Sequence, residues 1–352
     1  MDDLKKAIQS HKPSIDAAIN DFCDKTRVAV RKDYGDEFAG VFDTLLEILE
    51  RGGKRFRGVL TIYAYRLFGG KDAVIAAKAA TIIEMIQTHL LVIDDVADQS
   101  DTRRGGPSCH KLLEKFHIDN HLVGDTKFYA EVQTVNLGLA AQSLAFSMID
   151  TLEVSSEIKA RAHALLHKCL TNTNIGQTLD IENEQRRIND ESKTLQMMRL
   201  KTAYYSFAMP LKFGATLAGA SNNSLKFLTE YSKNAGLAFQ LKDDLLSTID
   251  DTAHADKNPR DDLAGGKWTV LVTYALRNGS PDQVAKIHAV LGNRTMTDEQ
   301  FVAARQALID SGAVNHSHRL ITKYADAAVT ALEKAPANLQ SKLDLLKKII
   351  GR

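Results

Sequence analysis

Cysteine, proline, long apolar runs and an excess of charge of either sign are all scarce in this chain. Three cysteines, Cys23, Cys109 and Cys169, are odd in number and lack CxxC spacing. That argues against a disulfide framework or a zinc site and makes a reducing cytoplasm the natural compartment. No stretch reaches the ~18 consecutive apolar residues of a membrane-spanning helix, and the charged start MDDLKKAIQS is followed by no apolar segment of the signal-peptide kind. Lys and Arg number 45 against 44 Asp and Glu, so the net charge is 45 − 44 = +1. A chain without a global field does not gather nucleic acid or anionic membrane, and any phosphate binding has to come from local clusters.

What is present is helix. Only 6 prolines occur in 352 residues, apolar residues recur at spacings of three and four, and period-two alternation is scarce. An all-α fold is expected. Breaks are expected at Gly52-Gly53, Gly69-Gly70, Gly105-Gly106-Pro107, the Asp251 to Gly266 region and Gly279-Ser280-Pro281. None is a long low-complexity linker, so a single domain over residues 1–352 is expected, with ample core material at 44% hydrophobic residues.

Two acidic clusters end apolar helical runs. In EMIQTHLLVIDDVADQSDTRRGG, Asp94 and Asp98 lie about 40° apart on one helix face, with Asp95 beside them, so three carboxylates are expected to converge at a helix end. Such crowding repels unless a cation sits among them, and hard oxygen donors suit Mg²⁺ carrying a substrate phosphate. Arg103 and Arg104 follow, with guanidinium forks that match phosphate oxygens. A solvated acidic helix end would account for any one of these aspartates alone. The second cluster, FQLKDD with Gln240, Asp243 and Asp244, weakens that alternative, because two aspartate pairs can hold a polyanion between them through metal ions. A third candidate, RGGKRFRG, places Lys54, Arg55 and Arg57 at a helix opening. Read alone, it is as well explained by a solvated basic helix start.

These motifs, in the order GGKRFRG, DDVAD with RRGG, GQTLD, KTAYYSF, FQLKDD and GGKWT, resemble the trans-isoprenyl diphosphate synthases, the family of farnesyl and geranylgeranyl diphosphate synthases. The resemblance implies a helical bundle of the isoprenoid synthase type around a central cavity. It also implies a homodimer, Mg²⁺ (three ions per site) and two substrates, isopentenyl diphosphate and an allylic diphosphate. Metal would be held by Asp94, Asp95, Asp98, Asp243 and Asp244. Isopentenyl diphosphate would be held by Lys54, Arg57, Gln87 and Arg103. The allylic diphosphate would meet Arg104, Lys201, Lys257 and Lys267, with Gln177 and Asp180 lining its cavity, and Thr202 and Gln240 would stabilise the developing carbocation.

Two positions depart from the pattern. Gln87 stands where many relatives carry histidine and still offers a hydrogen bond to phosphate. Ser247 replaces the usual third aspartate of the second motif. Either Asp250, about 20° from Asp243 on an ideal helix, compensates for it, or Asp243 alone carries the direct metal contact; the second account is favoured. The segment 257–267, with Pro259, Gly265 and Gly266, is a candidate lid.

The chemistry expected is 1'-4 condensation to a short-chain trans product. His89 and Leu90, five and four residues before Asp94, are the candidate floor of the product cavity. With no aromatic at 90 and no insertion in DDVAD, geranylgeranyl diphosphate is expected ahead of farnesyl diphosphate. The alternatives are a class I terpene cyclase, which needs no basic isopentenyl diphosphate site, and a non-catalytic partner subunit, whose only support is Ser247.

Overall fold

Asp72 illustrates how the polar punctuation sets the helices. Its Oδ1 accepts from the N–H groups of Val74 and Ile75, at 2.7 and 3.0 Å, satisfying donors that a helix start leaves open. Ser280 with Gln283 and Thr297 with Gln300 close reciprocal capping boxes two further times. The computed structural model describes residues 2–249 and 260–351, and most of them are helical, as the sequence pattern implies. The expected breaks at 52–53, 69–70 and 105–107 fall between helices, and that at 279–281 ends on Pro281, the first residue of the next helix. Asp250, Lys257 and Pro259, and with them the start of the candidate lid, lie outside the described residues.

The chain folds into two compact units. The first comprises Asp2–Ala164 and Phe213–Ala220. It contains α1 (Asp2–Tyr34), α2 (Asp36–Glu50), α3 (Phe56–Leu67), α4 (Ala73–Ala97), α5 (Cys109–Asp119) and α6 (Thr126–Asp150). Helix α4 is its centre, packed on α3 and α6. Every residue from Ala79 to His89 is buried, so α4 is covered on all sides there, its polar Glu84, Gln87 and His89 included. By length and composition α4 could cross a membrane, but 72% of that window is buried inside the protein. Close approach to α6 needs Gly138, where a Cβ would lie 2.9 Å from Ile93 Cγ1.

The second unit comprises Leu165–Lys212 and residues 221–351. It holds most of α7 (Ser156–Gln185), then α8 (Glu191–Met198), a π-helical segment (Arg199–Ala208), α10 (Lys226–Ile249), α11 (Asp261–Ala264), α12 (Val270–Asn278), α13 (Pro281–Val290), α14 (Asp298–Asp310) and α15 (Ala313–Glu333). The short helix α9 (Met209–Leu217) links its π segment to residues grouped with the first unit. Helix α10 is central here, packed on α15 and the π segment. Trp268, Leu271, Ile287 and Phe301 fill a core among α12, α13 and α14. Tyr231 on α10 donates from its hydroxyl to Leu346 O at 2.8 Å. All three cysteines are buried free thiols, and burial pushes the thiol of Cys109 up to about 11.

Candidate active site

Each unit carries one aspartate cluster. In the first unit the three aspartates at the end of α4 have different surroundings. Asp94 and Asp98 are half-buried, whereas Asp95 is fully buried. Asp95 sits ~100° from Asp94 around the helix, and its Oδ1 accepts from Arg103 Nε at 2.8 Å and from Arg103 Nη2. Burial pushes the Asp95 carboxyl up to about 6 against the pull of Arg103, and the neighbouring charges of Asp94 and Asp98 add to the rise. Burial works to lower the Arg103 pKa, but its bonds to Asp95 and the charges of Asp94 and Asp98 hold it above the usual arginine value. Among the described residues, no three His, Cys, Asp or Glu side chains are gathered into a ready metal site. The hard carboxylate oxygens of Asp94 and Asp98 are of the kind that suits Mg²⁺ brought in with phosphate and water as further ligands.

The RRGG segment is a hairpin, a feature that the sequence showed only as a break. Thr102 pairs with Pro107 and Arg103 with Gly106, and the two turn residues, Arg104 and Gly105, have φ of 53° and 75°, the double left-handed turn of two-residue hairpins. For arginine that conformation costs on the order of 1 kcal/mol. Its consequence is to send the two arginines opposite ways. Arg103 faces Asp95; Arg104 donates from Nη1 to Ile48 O at 2.9 Å and lies over Gly53, where a Cβ would come 3.2 Å from Arg104 Nε. Burial pushes Arg104 down to about 10, with Arg55, Arg103 and Arg57 adding repulsion. Arg104 therefore stands with the GGKRFRG cations and Arg103 with the aspartates, the reverse of the division expected from the sequence. Arg51, which no motif singled out, fastens the hairpin by donating to Pro107 O and, at 3.3 Å, to Arg103 O.

Within GGKRFRG the three cations have different surroundings. Arg55 is buried and bound to Asp16 at 2.8 Å and Leu49 O at 2.9 Å, with Glu84 at 3.4 Å, so it anchors the start of α3. Lys54 is exposed and Arg57 half-buried. Gln87 on α4 is buried, and its Oε1 finds no hydrogen-bond partner among the described residues. Its amide Nε2, and not this oxygen, is the donor that a phosphate oxygen would need. His89 donates from Nδ1 to Gly138 O at 2.8 Å, and its Nε2 is buried without a hydrogen-bond partner among the described residues. Leu90 beside it is half-buried.

In the second unit two glycines set the geometry. A Cβ on Gly176 of α7 would collide with the Lys201 backbone, and one on Gly236 of α10 with Ala203. Both helices can therefore close on the π segment that carries Lys201 and Thr202. π-Helical turns inside longer helices are frequent at functional sites. Lys201 Nζ donates to Asp180 Oδ2 at 2.7 Å. Lys267 Nζ lies 2.7 Å from Glu184 Oε1 and 3.5 Å from Asp180 Oδ2. Glu184 was not foreseen, although its place four residues past Asp180 on one helix face was the available signal. Gln177, one turn back on the same helix, has a buried Nε2 without a hydrogen-bond partner among the described residues. Thr202 Oγ1 donates to Gln240 Oε1 at 2.9 Å, and Gln240 Nε2 donates to Asp244 Oδ1 at 2.7 Å. Asp243 and Asp244 are both half-buried at the end of α10.

The model of one protein family, described as polyprenyl synthetase, matches residues 40–308. The chain belongs to the polyprenyl synthetase family. A geranylfarnesyl diphosphate synthase of Aeropyrum pernix is 30% identical over 309 residues, 87% of this chain and 91% of that protein. A geranylgeranyl diphosphate synthase of Saccharolobus solfataricus is 28% identical over 335 residues, 93% and 94% of the two chains. Among solved structures, a geranylgeranyl pyrophosphate synthase of Corynebacterium glutamicum, complexed with isoprenyl diphosphate and magnesium, superposes with a TM-score of 0.88 at 27% identity, covering 99% of this chain and 98% of that one. The all-helical architecture of this polyprenyl synthetase and its prenyltransferase class thus agree with the expectation from its motifs.

Proposed function

We propose that this polyprenyl synthetase condenses isopentenyl diphosphate with an allylic diphosphate, 1'-4 and trans, in the cytoplasm, and that the whole chain acts as one synthase domain. The observation that carries the reading is the way the first motif splits. The fully buried Asp95 binds Arg103, Asp94 and Asp98 are half-buried at the same helix end, and Arg104 is delivered to the GGKRFRG cations. An enzyme that handles two diphosphates, one ionising and one not, needs one acidic, metal-holding surface and one purely cationic surface.

In this reading Asp94 and Asp98 hold Mg²⁺, as Asp243 and Asp244 do, three ions in all. When bound, the metal neutralises charge developing on the leaving diphosphate. Asp95 serves Arg103, which faces the allylic diphosphate. Lys201 and Lys267 wait on Asp180 and Glu184 and exchange those carboxylates for phosphate oxygens, with Gln177 beside them and Lys257 as a further allylic ligand. Thr202 and Gln240, joined to each other and to Asp244, present oxygen atoms to the allylic cation as it forms. Lys54, Arg57, Gln87 and Arg104 hold isopentenyl diphosphate so that its double bond attacks that cation. Exclusion of water then protects the cation until proton loss.

Geranylgeranyl diphosphate is the product we favour, with farnesyl diphosphate next. The names of the Saccharolobus and Corynebacterium proteins support the former, and that of the Aeropyrum protein marks a longer chain as the main competitor. His89, held against α6 by Gly138 O, is the proposed floor, with Leu90 beside it. Products made from labelled isopentenyl diphosphate and each allylic primer, separated by chain length after dephosphorylation, test this. C20 should be the end point, and His89→Ala should shift it longer without loss of turnover. An unchanged profile in His89→Ala would place chain-length control elsewhere.

The family match favours a synthase over a terpene cyclase. The partner-subunit reading rests on Ser247 and predicts no turnover by the chain alone. Homodimerisation is supported by α6, which exposes Phe128, Val132, Val135 and Leu139 along one face at heptad spacing. Val132→Glu should then yield a monomer in sedimentation, and a wild-type protein that sediments as a monomer would exclude the dimer.

A further inference from the structure

Ser247, the position where the second motif lacks its third aspartate, is buried at 6% exposure. Its Oγ donates to Asp262 Oδ2 at 2.7 Å, with Asp244 O as a second acceptor at 3.1 Å. A hydroxyl has one proton, and the nearer, charged acceptor takes it. Asp262 belongs to α11, and its backbone O in turn accepts from Lys267 N at 2.9 Å. That bond closes the turn through Gly265 and Gly266, the latter at φ 76°. From this turn Lys267 reaches Glu184. One hydrogen bond therefore joins the aspartate end of α10 to the turn that carries Lys267. An aspartate at 247 could not make it, because two carboxylates 2.7 Å apart repel unless a cation or a proton lies between them.

We propose that Ser247 is a positioning residue which, through Asp262, sets the α11 turn and Lys267 before any metal or substrate arrives. The serine thereby substitutes a metal-independent hydrogen bond for a carboxylate that needs a cation. The consequence for substrate rests on the reading of Lys267 as an allylic diphosphate ligand; the bond itself does not.

A built-in reporter separates the two. Trp268, the chain's single tryptophan, follows Lys267 and is buried in the same core as Leu245 and Leu263. Acrylamide quenching of Trp268 should be low in wild type and equal in Mg²⁺ and in EDTA. Ser247→Ala should quench more readily in both, by about twofold or more. Ser247→Asp should quench more readily in EDTA alone and recover in Mg²⁺. Ser247→Thr, which keeps the hydroxyl, should restore protection, and Asp262→Ala, an independent variant, should repeat the Ser247→Ala result. Quenching of Ser247→Ala and Asp262→Ala identical to wild type would overturn the proposal, as would wild-type protection that appears only with Mg²⁺. Kinetics then test the Lys267 reading separately: Ser247→Ala should raise the KM for the allylic substrate several-fold with kcat and the isopentenyl diphosphate KM little changed. Altered quenching with an unaltered allylic KM would confirm the positioning and remove Lys267 from the substrate site.

Discussion

At the scale of the residue, the three aspartates of the first motif are expected to behave differently although they are chemically identical. Asp94→Ala removes a proposed metal ligand and should abolish condensation, by about a thousandfold or more in kcat, with an unchanged circular dichroism spectrum. Asp95→Ala instead leaves the Arg103 guanidinium largely buried without its carboxylate, so it should cost about 3 kcal/mol in urea unfolding and lower turnover through Arg103. Equal unfolding free energies for the two variants would contradict the division of labour. The sequence disclosed the residue types and the helical phase of Asp94 and Asp98. It did not disclose that Asp95 is claimed by Arg103, because that pairing depends on a hairpin whose turn, Arg104-Gly105, is not one of the usual Asn-Gly signals. Lys54, exposed beside the buried anchor Arg55, should act on one substrate only. A charge-assisted bond contributes about 1.5–3 kcal/mol, so Lys54→Ala should raise the KM for isopentenyl diphosphate tenfold or more and leave the allylic KM nearly unchanged. Equal effects on both would place the two diphosphates in the wrong sites.

At the scale of the element, the π segment 199–208 is shaped by what presses on it. Gly176→Ala would drive a methyl into the Lys201 backbone, and overpacking of this kind typically costs about 1–3 kcal/mol. The expected outcome is a lower melting temperature together with a reduced kcat, since Lys201 and Thr202 move with the segment. Full activity at reduced stability would show that the segment's position is not critical for the chemistry. Helix α6 marks the limit of what the sequence discloses at this scale. One of its faces buries Ala130, Thr134, Leu137 and Ala141 while the other leaves Phe128 and Leu139 exposed. A helix with apolar residues on two faces has almost no amphipathic signal, so the pattern could not say which face the core would take. Helices α4 and α10 were more legible because each carries an aspartate pair near its end, after a stretch rich in apolar residues.

At the scale of the whole molecule, burial holds the pKa values of His11, His89 and His110 below the usual histidine value. For each, the unfolded chain takes up a proton more readily than the folded one. The stability they contribute is present above about pH 6.5 and is lost as pH falls below it. Asp95, pushed up to about 6, acts in the opposite sense over part of the same range, so the difference between variants is the informative quantity. Between pH 7 and 5, His89→Leu should lose less melting temperature than wild type; parallel curves would contradict a buried neutral His89. The helical class and the order of motifs were legible across the chain from length, proline scarcity and spacing. The Ser247 to Asp262 bond was not, because it joins residues 15 apart through side chains that carry no periodic signal. The central claim is that this single polypeptide is itself a metal-dependent condensing enzyme. Its most direct test is incorporation of labelled isopentenyl diphosphate by the purified chain alone, supplied with geranyl diphosphate, in Mg²⁺ and in excess EDTA. The account predicts sustained incorporation into acid-labile prenyl product in Mg²⁺ and none in EDTA. Absence of incorporation in Mg²⁺, by a chain that circular dichroism shows to be folded, would contradict it.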